Sequence, residues 1–322
     1  AGILDAHGFT KVYDMLYGIN AWESAGYPVW IATVHNVNTA LNYDFIQRAI
    51  YAPQTLDEHT ILVDAGIYHE HIVVNKSISL IGENRSTTII DGGDTGNGIN
   101  VTANNVTISG FTVKNNLKGI YLEGSSNDTI VENIIVNNQY GIYICSYSVD
   151  NVVYHNSFID NTNQACLESS TSSAEWDNGY EGNYWSDYTG TDVDGDGIGD
   201  TGTPHLGLDY YPLMHAYGSI RNLNTDLIYL AIQSAINAPE TLVGHTIFVS
   251  SGIYYEHVVV SKSVSLIGED KGNTVINGSN TGHTINITAN DVTISEFTIQ
   301  NSGSSKANVY LEYSNNSRII NN

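Results

Sequence analysis

Apolar residues come in short runs of Val, Ile and Leu mixed with Thr and Ser, and Gly and Asn break the runs before they lengthen. Runs of this size, with side chains alternating between two faces, predict short strands. A longer period lies above them. Gly119-Ile120-Tyr121-Leu122 returns 22 residues later as Gly141-Ile142-Tyr143-Ile144, and Ile108, Ile130 and Val152 keep nearly the same spacing. A period near that value, with three short strands per turn, predicts an all-β fold, a right-handed parallel β-helix. Stacked coils place like side chains above one another, so Ile and Val form inward columns and turn asparagines bond to their counterparts. Asn115-Asn116, Asn137-Asn138 and Asp160-Asn161 are the predicted turn ladder. Helical spacing is found at Phe45, Ile46, Ala49 and Ile50, and again at Leu230, Ile232, Ala235 and Ile236, each ending before a proline.

The stretch from His59, HTILVDAGIYHEHIVVNKSISLIGE, reappears from His245 as HTIFVSSGIYYEHVVVSKSVSLIGE, an offset of 186 residues that runs on without a gap. This predicts two tandem modules, 36–218 and 219–322, each opened by a short capping helix, after an N-terminal segment 1–35. The second module is a shortened copy, stopping opposite Val136. Stack ends expose strand edges that demand caps. Its last coil has no matching C-terminal cap, so the sequence predicts self-association there into a polymer or layer.

Composition narrows the partners. Only 14% of residues are charged, yet the net charge is −23. Such a surface repels nucleic acid and anionic membranes and attracts divalent cations. No apolar run is long enough to span a bilayer. The chain starts at Ala1 without a leader, which suggests a processed form, a fragment or an expression product. Eight sequons, at Asn75, Asn84, Asn100, Asn105, Asn127, Asn277, Asn286 and Asn315, suit a glycosylated extracellular or cell-surface location, although Asn- and Thr-rich coils also produce sequons by chance. Cys145 and Cys166 are the candidate disulfide. With a 22-residue offset Cys166 falls beside inward Ile144 and Cys145 beside outward Leu167, so a bridge needs a bulge.

Several motifs carry a family likeness: Ile46-Gln47 with Ala49-Ile50, Gly66-Ile67-Tyr68 with Glu70, Leu80-Ile81-Gly82-Glu83, the GIYL coils, and Gly182-Asn183-Tyr184-Trp185 through Asp194-Gly195-Asp196-Gly197. In these the chain resembles the pectin-lyase-like superfamily, and within it the NosD-like carbohydrate-binding β-helix proteins abundant on archaeal surfaces. That likeness implies the fold and leaves the activity open, since the superfamily includes lyases, hydrolases, binding proteins and coat proteins. Residues 8–30 resemble the last strand and helix of a rhodanese domain, without the upstream Cys that such a domain uses. An amphipathic helix packed on the first coils suits Tyr17 and Trp22 equally well.

The sharpest chemical motif is Asp192-Val-Asp194-Gly-Asp196-Gly-Ile198-Gly-Asp200. Alternating carboxylates followed by Gly wrap a hard cation, with the Ile198 carbonyl as a further oxygen. The twelfth position is Thr203 rather than Glu, so this is not an EF-hand. The expected ion is Ca²⁺, completed by Asp200 or by Asp187 or Asp209. His69 and His71 share a strand face and would suit copper, but the second copy has Tyr255 and His257, so Glu70-His71 and Glu256-His257 are read as stabilising the first coil. No catalytic residues are assigned and the chain is not expected to be an enzyme, because no Lys or Arg lies between Gly119 and Ile220. The leading expectation is a structural protein of a surface layer, sheath or filament. The alternatives are a carbohydrate-binding module using outward Tyr121, Tyr143 and Tyr154, and a polysaccharide lyase or hydrolase with a cleft of carboxylates and a basic group.

Overall fold

The computed structural model describes residues 33–322. The rhodanese-like stretch 8–30 lies outside the described residues. The rest is an all-β, right-handed type of parallel β-solenoid with very little helix. Strands pair in parallel with those one turn away, as in Gly119's own strand: Ile120 sits between Ile99 and Ile142, and Tyr121 between Asn100 and Tyr143. The strand-opening glycines follow from this stacking. A Cβ on Gly119 would lie 2.6 Å from the carbonyl oxygen of Gly141, so neither position has room for a side chain.

Six sheets form two trios, of eight, six and five strands and then of six, three and three. Each trio encloses its own aliphatic core. The first includes Ile61, Leu80, Ile108, Ile130, Ile142 and Phe158, and the second Ile247, Leu266, Ile294 and Phe297. Pairing repeats at the offset found in the sequence: Ile61 faces Leu80 and Asn36, while Ile247 faces Leu266 and Asn222.

Two helices are present among the described residues away from the strands, α1 (Ile46–Tyr51) and α2 (Ile232–Asn237). Each buries two isoleucines and an alanine into its own core. Glu70 holds the N-terminus of α1 by accepting the N–H groups of Ile46 and Gln47 at 3.0 Å, and Glu256 does the same for Ile232 and Gln233 at 2.9 Å. Beside each helix an antiparallel hairpin, Val34–Asn36 with Leu41–Tyr43 and Ile220–Asn222 with Ile228–Tyr229, occupies the edge of the first sheet. Segments this short carry no periodic signal. The first strand of that sheet in each stack is therefore already paired on its outer side by a hairpin.

The asparagine ladder is present. Asn116 Nδ2 donates to Asn138 Oδ1 at 2.9 Å, and Asn138 Nδ2 to Asn161 Oδ1 at 2.9 Å. A second, deeper column runs through Asn133, Asn156 and Asn183, with amide-to-amide bonds of 3.1 Å.

One register differs from the expectation. Ile130 pairs with Val153, not Val152, and Tyr143 with Cys166. The turn after Ile144 is one residue longer than that after Leu122, and the pairings of Ile130, Ile135, Tyr143 and Val152 with the next coil are offset by 23. Cys166 thus continues the outward column of Tyr143 rather than the inward one of Ile144. Cys145 lies two residues on from Tyr143, diagonal to Cys166 on that face, and both thiols are free.

Candidate functional site at the acidic cap

The first stack closes on a segment with little regular structure, residues 176–217, built around aromatic rings. Trp185 stacks on Phe158 with centroids 4.4 Å apart, and Trp176 packs 5.7 Å from Trp185. Asp209 is fully buried beneath them. Its Oδ2 accepts the Asn183 backbone N–H and its Oδ1 that of Tyr211. Burial pushes its carboxyl above the usual carboxylate range, against the pull of these bonds.

The acidic loop projects from this cap. Carboxylate oxygens of Asp192, Asp194 and Asp200 lie within 4.8 Å of one another. Turn chemistry draws them together: Gly195 and Gly197 donate their N–H groups to Asp192, and Val193 donates to Asp200 at 2.6 Å. Gly195 and Gly197 have φ of +82° and +94°, a conformation that glycine adopts freely. Asp196 is not part of this gathering. It accepts the Ile198 N–H at 2.8 Å, and burial with three neighbouring aspartates raises its pKa. Ile198 bridges to Leu213, which ties the loop to the cap. Asp187 and Asp209 are committed elsewhere, Asp187 to His205 at 3.1 Å and Asp209 to the cap core. The loop also meets the second stack, since Gly197 packs on Leu230 and Asp192 lines a cavity of about 300 Å³ with His215 and Glu256.

Other sequence-predicted residues scatter. His69 and His71 lie between strands Gly66–Tyr68 and Ile72–Val74, and His71 is spent on Asn97 O and Thr95. Tyr121 and Tyr143 share the third sheet, edge to face at 5.6 Å, with Lys118 Nζ over both rings at 3.6 and 3.8 Å. Tyr154 belongs to the first sheet, so the three tyrosines form no single platform. Of the sequon asparagines, Asn75, Asn84, Asn105, Asn127 and Asn315 are exposed. Asn100 and Asn286 are half-buried and donate to Glu123 and Glu312, and Asn277 is buried. No helix among the described residues is long and apolar enough to cross a membrane.

Comparison with known proteins adds the following. The profile of the family described as periplasmic copper-binding protein (NosD) matches residues 10–190. The chain is 38% identical over 129 residues to a cell surface glycoprotein of Methanothermus fervidus, covering 40% of this chain and 21% of that protein. It is 37% identical over 83 residues to a probable ABC transporter binding protein NosD of Pseudomonas aeruginosa, covering 26% of this chain and 19% of that one. It therefore spans about a fifth of the length of these curated relatives. A solved structure, ORF18 of Geobacillus virus E2, aligns over 81% of this chain and 54% of its own at 12% identity and a TM-score of 0.26, too slight to bear on the fold. Copper does not suit the described residues: their one cluster of three or more His, Cys, Asp or Glu groups is three carboxylates, hard oxygen donors rather than the imidazoles and thiolates copper prefers.

Proposed function

The chain belongs to the NosD family, and from that premise we propose that it is a structural component of a cell-surface layer, sheath or filament. Its place is outside the cell or on its surface, in keeping with the surface glycoprotein it is similar to. The supporting observation is the repetition: a second stack that repeats the pairing of the first at an offset of 186, each filled by aliphatic columns with no solvent exposure. Duplicating a packed solenoid multiplies length and stiffness, not a reactive site. In this reading 36–218 and 219–322 are tandem modules, α1 and α2 cap them, and 1–35 precedes them. Ca²⁺ held by Asp192, Asp194 and Asp200, with Asp196 and the Ile198 carbonyl beside them, stiffens the junction. The exposed sequon asparagines carry glycans. The role is not catalytic.

Copies of the chain associate with one another in this reading. Sedimentation velocity at micromolar protein with Ca²⁺ is expected to show species that grow with concentration, and electron images to show rods or tubes. A strictly monomeric species in Ca²⁺ would overturn this reading. A carbohydrate-binding role has weaker support, because Lys118 covers the rings of Tyr121 and Tyr143.

A further inference from the structure

Away from the acidic cap, a cavity of about 840 Å³ opens between the two stacks. Arg85 and Glu132 stand on one wall, Arg221 and Ser251 on the other, and Tyr217 and Gly218 form part of the lining between them. The chain has four arginines, and two of them meet here.

We propose that this cleft binds a monoanionic oxyanion, a carboxylate or a sulfate ester, on the guanidinium of Arg85. Nη1 of Arg85 is buried and has no hydrogen-bond partner among the described residues. A buried guanidinium N–H left unpaired is costly, and a cleft that keeps one in place is waiting for an acceptor. Burial also presses the pKa of Arg85 downward, opposed by the charges of Glu132 and Tyr217.

The surroundings are rigid. Gly218, with φ of +83°, brings the backbone so close that a Cβ there would lie 2.9 Å from Arg85 Nη2. Tyr217 is stacked on His155 with centroids 3.7 Å apart, and His155 is in turn held by Glu181 at 2.6 Å. A site fixed before binding loses little to ordering.

The carboxylates define the anion further. Glu83 and Glu269 also line the cleft, each with one oxygen taken by a backbone N–H, of Ala65 at 2.9 Å and of Ser251 at 2.8 Å. With Glu132 they oppose a dianion while leaving one negative charge tolerable beside Arg85; Arg221 is already engaged by Asp226 at 3.0 Å. Because two of the three are tied into turns, they do not form a free acid–base pair, and the cleft holds a ligand rather than cleaving it. Its volume far exceeds one carboxylate, so the anion belongs to a larger polar molecule.

The test is calorimetry on the full chain at pH 8 with four probes that share one hexose ring: glucuronate, glucose 6-sulfate, glucose 6-phosphate and glucose. Glucuronate or the sulfate is expected to bind, the dianionic phosphate about fivefold more weakly or worse, and glucose not measurably. Arg85→Gln should weaken binding about tenfold, while Arg48→Gln, which breaks the Asp44 pair and the contact with the Phe45 ring far from the cleft, leaves it unchanged. Hydrogen exchange on the unaltered protein should show glucuronate protecting residues 216–219, a readout that does not depend on Arg85→Gln folding. Glucose binding as tightly as glucuronate, phosphate binding more tightly than either monoanion, or no protection at 216–219 would each overturn the proposal.

Discussion

Trp185 donates its indole Nε1–H to Oδ2 of Asp209 across 2.8 Å, and the same oxygen takes the backbone N–H of Asn183 at 2.8 Å. Each asparagine in the Asn133–Asn156–Asn183 column donates to the next, so the column needs an acceptor at its end, and Asp209 supplies it. Asp209→Ala would leave the buried N–H groups of Asn183 and Trp185 and the part-buried one of Tyr211 unpaired and should destabilise the first stack by about 3–5 kcal/mol. Asp209→Asn, which keeps one oxygen, should cost less than half of that. Denaturant unfolding followed by tryptophan fluorescence reads both, and an alanine variant as stable as the parent would refute the capping role.

Glu70 and Glu256 anchor helices from the following coil, about two dozen residues on. Replacing either by Ala removes two acceptors from a helix N-terminus and should cost about 1–2 kcal/mol. Because the two sites are equivalent under the repeat, the two losses should be similar and additive in the double variant. Thermal melts of the three proteins check this, and strong non-additivity would mean that the stacks do not behave as repeats.

The solenoid was legible because stacking forces like residues into columns, and those columns write a period into the sequence at GIYL and at Asn116, Asn138 and Asn161. The edge-covering hairpins were not, since three-residue strands such as Val34–Asn36 are too short to show a pattern. The extra residue after Ile144 was also missed, as it lies in a turn where length is free to vary, and it moved Cys166 from the inward to the outward column. At the acidic loop, alternation brought Asp192, Asp194 and Asp200 to notice, but Asp209 was offered to the cation when the buried asparagine column had claimed it. The second column had a signal of its own: Asn133, Asn156 and Asn183 recur at near-coil spacing. Arg85 carried no signal, because the cleft depends on how two distant stretches meet.

Three exposed or half-buried carboxylates held within 4.8 Å repel one another until a cation arrives. Added Ca²⁺ should therefore raise the melting temperature. At one hundred times the dissociation constant the gain should be about 2.7 kcal/mol, and a chelator should reverse it. Asp194→Asn with Asp200→Asn should abolish the response and, by relieving repulsion, leave the metal-free protein no less stable than the parent. A calcium-independent melt of the parent protein would exclude the loop as a site.

Asp128 sits fully buried in the column of turn residues, where its Oδ1 accepts the Val106 N–H at 2.9 Å. Its Oδ2 is buried and outside good hydrogen-bonding geometry with any described residue, although the Ser125 hydroxyl lies near enough to pull the carboxyl pKa down. Burial lifts its pKa from 3.8 to about 6. For a carboxyl raised on folding, the native state favours the proton, so the stabilising contribution is complete below the unfolded value and is lost as pH rises through about 6. At pH 7 the group is ionised in a buried place where Val106 and Ser125 compensate only part of the cost. Asp128→Asn would mimic the protonated form, and its amide would face Asn151 Oδ1, which already accepts the Asp128 backbone N–H at 2.9 Å, just as Asn133 Nδ2 meets Asn156 Oδ1 one corner away. The variant should be more stable than the parent at pH 7 by about 2 kcal/mol, with the gap closing by about pH 4 as the parent takes up its proton. Comparing the two proteins across pH cancels the general relief of negative charge on acidification, which both share. If the variant were less stable at pH 7, the carboxylate would have to be meeting a partner that the asparagine cannot.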